Sequence, residues 1–110
     1  MKIYISIPIT GHDYDIQKKQ AEQIAALIKA AGHEPVSPFE TPAAPSWMEE
    51  PEQYAYYMGE DIQALLLCGG IYLSKGWKES KGCLLEQAAA EIYGLYQFTS
   101  INKIPGLEDL

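Results

Sequence analysis

The sequence predicts an α/β protein in which a small parallel sheet is covered by helices on both faces. Short runs of β-branched and apolar residues alternate with longer stretches of helical periodicity. The first run, Ile3 to Ile9, is apolar at consecutive positions, as in strands that are buried on both faces. Glycine and proline separate these segments. Alternating strands and helices form parallel sheets with right-handed crossovers.

Local signals place each element in turn. Asp13 or Asp15 can cap the first helix, and Gly32 stops it. Pro51 suits the first turn of the second helix, and Ser80 is a natural N-cap for the third. The predicted helices cover residues 13–31, 51–67 and 82–94, and the predicted strands residues 3–9, 33–37, 71–74 and 95–100.

We therefore expect one domain, residues 1–110, with a flavodoxin-like or Rossmann-like three-layer sandwich of about four or five strands. Residues 39–51 are rich in proline and alanine and predict a long loop. In the third helix, the stripe of Leu85, Ala88, Ala89 and Ile92 is expected to face the core.

Composition excludes several classes of function. A net charge of −7 argues against nucleic acid polymers and anionic membrane surfaces. No apolar run reaches transmembrane length, and the first residues resemble a strand more than a signal peptide, so we expect a cytoplasmic protein. Cys68 and Cys83 lack the spacing of a metal site and are expected to be reduced. P-loop, HExxH and GxSxG motifs are absent.

Ligands of open parallel sheets bind at the carboxyl ends of the strands. The segments 8–12 and 75–82 and the region of Trp47 should meet there. Trp47 could stack on a ligand ring.

Asp61 is unusual because helical periodicity places it on an apolar stripe with Tyr57, Met58 and Leu65. An unpaired carboxylate there would be costly to bury. It either has a function, with Met58 beside it at the ligand, or it meets a lysine or lies at the edge of the stripe.

Glu86 follows Ser80 by six positions, beyond the spacing of three used by a capping box, so it has no capping duty. The nearby helix N-terminus favours its ionised form, as a nucleophile requires. Gly82 and Ala90 leave room around it. The alternative is a surface glutamate on an amphipathic helix. Two carboxylates that enter one cleft, Asp61 and Glu86, would suffice for glycoside chemistry.

Two segments, MKIYISIPITG and MGEDIQALLLCGGIYLSKGWKESKGCLLEQAAA, resemble the nucleoside 2-deoxyribosyltransferase-like proteins. These include the related phage and bacterial DUF4406-type proteins and the 2'-deoxynucleoside 5'-phosphate N-hydrolases. The matching elements are Tyr4, Thr10-Gly11, Asp61 and the motif Ser80-x-Gly82-x-x-x-Glu86, and the resemblance extends from Met1 to Gly94.

This resemblance implies a role for each matching residue. Glu86 would attack C1' of a deoxyribosyl group and form a covalent glycosyl-enzyme, and Tyr4 would orient it. Asp61 would hold sugar hydroxyls or help to protonate the departing base. The residues expected to bind the substrate are Pro8, Ile9, Thr10 and Gly11 in the first loop, Ser80 and Gly82 at the third helix, and Trp47 and Met58. A homodimer or larger homo-oligomer is also implied. No metal and no organic cofactor is expected, because the carboxylates would do the covalent work.

The sequence departs from this family at two positions. Relatives commonly carry an aspartate where this chain has Gly69, and phosphate-using relatives carry an arginine where it has Thr10. The expected function is cleavage or exchange of the N-glycosidic bond of a 2'-deoxynucleoside or its 5'-monophosphate. Two alternatives remain open: a non-catalytic nucleotide-binding or sequestering protein, supported by Gly69, and an N-glycosidase acting on another ribosyl compound.

Overall fold

The computed structural model describes residues 1–110 and contains one four-stranded, fully parallel sheet in the order β2-β1-β3-β4. The strands are β1 (Lys2–Ser6), β2 (Glu34–Val36), β3 (Gly70–Leu73) and β4 (Tyr96–Phe98). The helices are α1 (Tyr14–Ala30), α2 (Glu50–Leu66) and α3 (Lys81–Ile92). Single 3₁₀ turns cover Pro38–Glu40, Trp77–Glu79 and Ile101–Lys103. This strand order is that of flavodoxin-like sheets, so the predicted fold class is confirmed.

The capping residues act as the sequence predicts. The Asp13 carboxylate accepts a hydrogen bond from the Ile16 N–H, 3.0 Å away, and begins α1. The Ser80 hydroxyl accepts one from the Cys83 N–H, 3.2 Å away, and begins α3. Gly32, with φ +89°, follows the last turn of α1, where a left-handed backbone is needed. The strand β1 is shorter than predicted and ends at Ser6, the last of its residues to pair with β3.

Alternation along β1 sends its side chains into two separate layers. Ile3 and Ile5 face α1, where they pack with Ala21, Ile28 and residues of the C-terminal tail. Tyr4 faces the opposite layer, formed by α2 and α3. The sheet is therefore covered on both sides, and Tyr4 and Ser6, two positions apart, point to the same side.

The predicted inner face of α3 is wrong at Leu85 and Ile92, whereas Ala89 packs against the core as predicted. Leu85 is 49% exposed and Ile92 is 77% exposed, whereas Cys83, Glu86 and Ala90 are buried. Two hydroxyls of β1 donate hydrogen bonds to Glu86 and so fix the rotation of the helix about its axis. Apolar periodicity alone does not register this polar contact. No helix of the protein is both long enough and apolar enough to cross a membrane.

Candidate active site

A cleft of about 650 Å³ opens at the carboxyl ends of β1 and β2 and beside the first turn of α3. It lies where the chain leaves β1 toward one side of the sheet and β3 toward the other, which is the usual ligand site of such folds. Its apolar and aromatic lining comprises Ile7, Ile9, Tyr14, Pro38, Phe39, Ala43, Tyr54, Tyr57 and Met58. Its polar and small residues are Thr10, Thr41, Asp61, Glu79, Ser80, Lys81, Gly82, Cys83 and Glu86.

Glu86 lies in the cleft wall with only 5% of its surface exposed. The Tyr4 hydroxyl donates a hydrogen bond to its Oε2 at 2.5 Å, and the Ser6 hydroxyl donates one to its Oε1 at 2.8 Å. Both donors come from the central strand, which is fully buried at these positions. The carboxylate is thus held at both oxygens by rigid neighbours, and the alternative of a surface glutamate is excluded.

The ionisation of Glu86 differs from the expectation. Burial raises its pKa from 4.5 to about 7, against the hydrogen bonds from Tyr4 and Ser6, which lower the pKa; the nearby Asp61 charge adds to the rise. Proximity to the helix N-terminus therefore does not decide its charge, since the loss of water outweighs it. Burial and the charge of Glu86 also raise the pKa of Tyr4 well above 10, so this phenol stays protonated as a donor.

Asp61 is also buried, at 8% exposed, and lines the same cleft. Its partner is a hydroxyl and not a lysine: Thr41 Oγ1 donates to Oδ1 at 2.8 Å. Burial raises the pKa of Asp61 to about 6, the Thr41 hydrogen bond opposes this rise, and the charge of Glu60 adds to it. Two carboxyl groups with pKa values near neutrality therefore share one cleft, and such shifts are enriched at functional sites.

The other expected substrate contacts divide into two groups. Ile9, Thr10, Ser80, Gly82 and Met58 line the cleft. Three do not: Pro8, Gly11 and Trp47. Pro8 is buried, and its carbonyl accepts a hydrogen bond from the Gln17 side chain at 2.6 Å, whereas Trp47 is 74% exposed.

Sequence reasoning missed Ser6 and Thr41. Ser6 left a signal, because a hydroxyl two positions after Tyr4 in a buried strand must share its face. Thr41 left none, since it lies in a proline- and alanine-rich loop without periodicity. Tyr14 and Phe39 were also missed; their rings meet edge to face, with centroids 5.2 Å apart, beside the cleft.

Gly69, for which the resemblance implies an aspartate, lies outside the cleft. Its N–H donates to the Lys2 carbonyl and its own carbonyl accepts from the Tyr96 N–H, so Gly69 lies at the amino ends of the strands. The cleft lies at their carboxyl ends. No group of three or more histidine, cysteine, aspartate or glutamate side chains lies together in a way that could hold a metal ion.

The sequence also matches a known protein family over most of its length. Residues 1–97 match the domain of unknown function DUF4406. The chain belongs to the DUF4406 family. No curated protein matches it significantly.

Solved structures relate this DUF4406 protein to 2-deoxyribosyltransferases by fold. The enzyme from Bacillus psychrosaccharolyticus shares 18% identity with it at a TM-score of 0.65, over 88% of this chain and 69% of the other. The enzyme from Leishmania mexicana shares 22% identity at a TM-score of 0.62, over 87% of this chain and 61% of the other. A conserved protein from Enterococcus faecalis V583 shares 22% identity at a TM-score of 0.59, over 88% of this chain and 60% of the other. The expected DUF4406-type family is thereby confirmed by the family match, and the deoxyribosyltransferase-like fold by the solved structures.

Proposed function

We propose that this DUF4406 protein cleaves or exchanges the N-glycosidic bond of a 2'-deoxynucleoside or its 5'-monophosphate, through a covalent glycosyl-enzyme on Glu86. The observation that carries the proposal is the setting of Glu86: a carboxylate buried in a cleft wall, with each oxygen held by one hydroxyl. The two deoxyribosyltransferases that share its fold are consistent with this reaction.

The reaction needs one nucleophile and one proton. A carboxylate oxygen of Glu86 forms a bond to C1' while the bond from C1' to the base nitrogen breaks, and the base leaves with the bonding electrons. Asp61, with a pKa of about 6, is protonated in an appreciable fraction of molecules at neutral pH and can supply the proton that the base acquires. Water or a second base then attacks C1', which releases the Glu86 carboxylate and returns a proton to Asp61.

The lining of the cleft suits a nucleoside. Its volume of about 650 Å³ falls within the range of small-molecule sites. Tyr14, Phe39, Tyr54 and Tyr57 offer aromatic surface for a base. Thr10, Ser80 and Gly82, beside the first turn of α3, are the residues we assign to the 5' end of the sugar.

A 5'-phosphate would have few cationic partners in this cleft. The chain has eight lysines and no arginine, and Lys81 is the lysine that lines the cleft, beside the acidic Glu79. The first turn of α3 could add its dipole to this single charge. Substrates with and without the phosphate must therefore be compared directly.

We propose that the protein is a cytoplasmic homodimer or larger homo-oligomer that acts on small molecules. Leu85 and Ile92 present an apolar surface of α3 to solvent, and a second copy could cover it. Light scattering coupled to size exclusion tests this, since Ile92→Glu should yield monomers where the native chain yields dimers. A native chain that is monomeric at micromolar concentration would contradict the assembly.

The decisive experiment measures free base released from a panel of deoxynucleosides, ribonucleosides and their 5'-monophosphates, with and without an acceptor base. Glu86→Gln should lower the rate by at least about 10³-fold, as loss of a nucleophile does in other enzymes. Glu91→Gln is the matched control, because Glu91 lies exposed on the same helix. The acceptor separates transferase from hydrolase, and the ribonucleosides test the alternative of another ribosyl substrate.

Two results would contradict the proposal. Release that is equal in the native chain and in Glu86→Gln would remove Glu86 from the mechanism. Binding of nucleosides by the folded native chain without any release would favour the non-catalytic nucleotide-binding protein. The main sequence support for that alternative was Gly69, which lies at the amino ends of the strands, away from the cleft opening.

A further inference from the structure

Ser6 is a buried hydroxyl that the reaction described above does not use. It is fully buried at the carboxyl end of β1, and its Oγ donates to Glu86 Oε1 at 2.8 Å across 80 residues of sequence. We propose that Ser6 is a positioning residue that holds the Glu86 carboxylate ionised and fixes which of its oxygens faces the substrate. This inference rests on the proposed function for its catalytic meaning, although its effect on Glu86 can be measured without any substrate.

The two donors to Glu86 act together from one strand. Tyr4 donates to Oε2 from two positions earlier in β1, so the two hydroxyls bind one carboxylate oxygen each. With both oxygens held, the carboxylate cannot rotate about its last side-chain bond without breaking a hydrogen bond. A near-attack geometry needs such a fixed orientation.

The environment of Ser6 leaves Glu86 as its natural acceptor. A serine hydroxyl carries one proton, and the structure assigns that proton to Oε1. The Cys83 thiol is close enough to Ser6 and Ser80 for both hydroxyls to lower its pKa, but burial raises the thiol pKa overall, so it stays protonated and does not compete as an anion. Ser6 therefore stabilises one charge, that of Glu86.

Removal of the Ser6 hydroxyl should make Glu86 harder to ionise. Hydrogen bonds from hydroxyls lower the pKa of this carboxyl, against the larger effect of burial. A hydrogen bond to a charged group is strong enough to shift such an equilibrium by roughly ten-fold, which is about one pKa unit. Activity that requires ionised Glu86 is present above its pKa and lost as pH falls, so Ser6→Ala should move this acid limb of the pH–rate profile upward by about one unit.

The test compares Ser6→Ala with a variant that loses an equivalent hydroxyl without a partner. Ser74 is buried at the end of the adjacent strand, its N–H donates to the Ser6 carbonyl, and its own hydroxyl has no hydrogen-bond partner. Ser74→Ala is thus the matched control. Ser6→Cys, nearly isosteric with a weak donor, replaces Ser6→Ala if the alanine variant does not fold, and Ser6→Thr restores the hydroxyl.

The first readout is the Glu86 carboxyl pKa from a ¹³C NMR titration of the free protein, with the signal assigned by its absence in Glu86→Gln. The second is the pH–rate profile on whichever panel substrate is cleaved. We expect the Glu86 pKa and the acid limb of the pH–rate profile to move upward in Ser6→Ala. Both should keep their native values in Ser74→Ala and return to them in Ser6→Thr. An unchanged Glu86 pKa in folded Ser6→Ala overturns the role of Ser6, even where the enzyme is active. A shifted pKa without base release from any substrate supports the role of Ser6 and overturns the proposed function alone.

Discussion

Glu86→Gln should stabilise the protein at alkaline pH, because the native carboxyl has a raised pKa in the folded chain. Its pKa rises from 4.5 to about 7 on folding, so the folded state holds this proton more tightly than the unfolded state. Stability is then highest below the unfolded value, falls as pH rises from there to about 7, and is level above it. At 1.36 kcal/mol per pKa unit, the ionised group costs about 3 kcal/mol at pH 8 and about 1 kcal/mol at pH 5.5.

Glutamine keeps the shape of the side chain and does not titrate. Its amide oxygen can accept the Tyr4 proton, and its NH₂ can donate to the Ser6 oxygen after that hydroxyl rotates. The variant should therefore gain about 2 kcal/mol more over the native chain at pH 8 than at pH 5.5. Using two pH values cancels packing effects of the amide itself, and both avoid the pI of 4.7, where solubility is lowest.

Urea unfolding at fixed protein concentration measures both differences. Glu91→Gln, exposed on the same helix, should show no pH-dependent gain. The reasoning is refuted if the difference in unfolding free energy between Glu86→Gln and the native chain is the same at both pH values. That result would mean that burial does not raise the pKa of Glu86.

Two further substitutions test other contacts. Thr41→Val removes the hydrogen bond to Asp61 at nearly constant volume and should raise the pKa of Asp61 from about 6 by roughly one unit, measured by ¹³C NMR; an unchanged value would show that Thr41 is not its donor. Gly70→Ala would place a Cβ 2.9 Å from Phe98 Cε2 and should lower the free energy of unfolding in urea by about 1–3 kcal/mol. Gly59→Ala, in α2 with no atom within 4 Å of its Cβ, is the control and should stabilise by about 0.5–1 kcal/mol; equal effects of the two would exclude the steric argument.

The order of strands and helices could be predicted because each segment contains its own hydrophobic periodicity and its own capping or terminating residues. The N-caps at Asp13 and Ser80 and the stop at Gly32 are local signals, and all three act in the structure as predicted. Asp61 was detectable for the same reason, as a carboxylate on an apolar stripe that is indeed buried.

What failed depends on contacts between distant segments. The rotation of α3 is set by hydroxyls on β1, so its most apolar stripe, with Leu85 and Ile92, faces outward. Thr41 meets Asp61 across 20 residues, through a loop with no pattern of its own. The charge of Glu86 was misjudged because helix position is visible in a sequence, whereas depth of burial is not.

The unfavourable burial of Glu86 and its proposed chemistry have one physical origin. An exposed glutamate is almost fully ionised and fully hydrated at neutral pH, so it must shed water before it can attack a carbon centre. Glu86 is nearly fully buried in the folded chain and has in exchange two fixed donors, one on each carboxylate oxygen. Its pKa of about 7 then leaves a large ionised fraction at neutral pH. A carboxyl whose removal should stabilise the fold is one that the reaction proposed for Glu86 would explain.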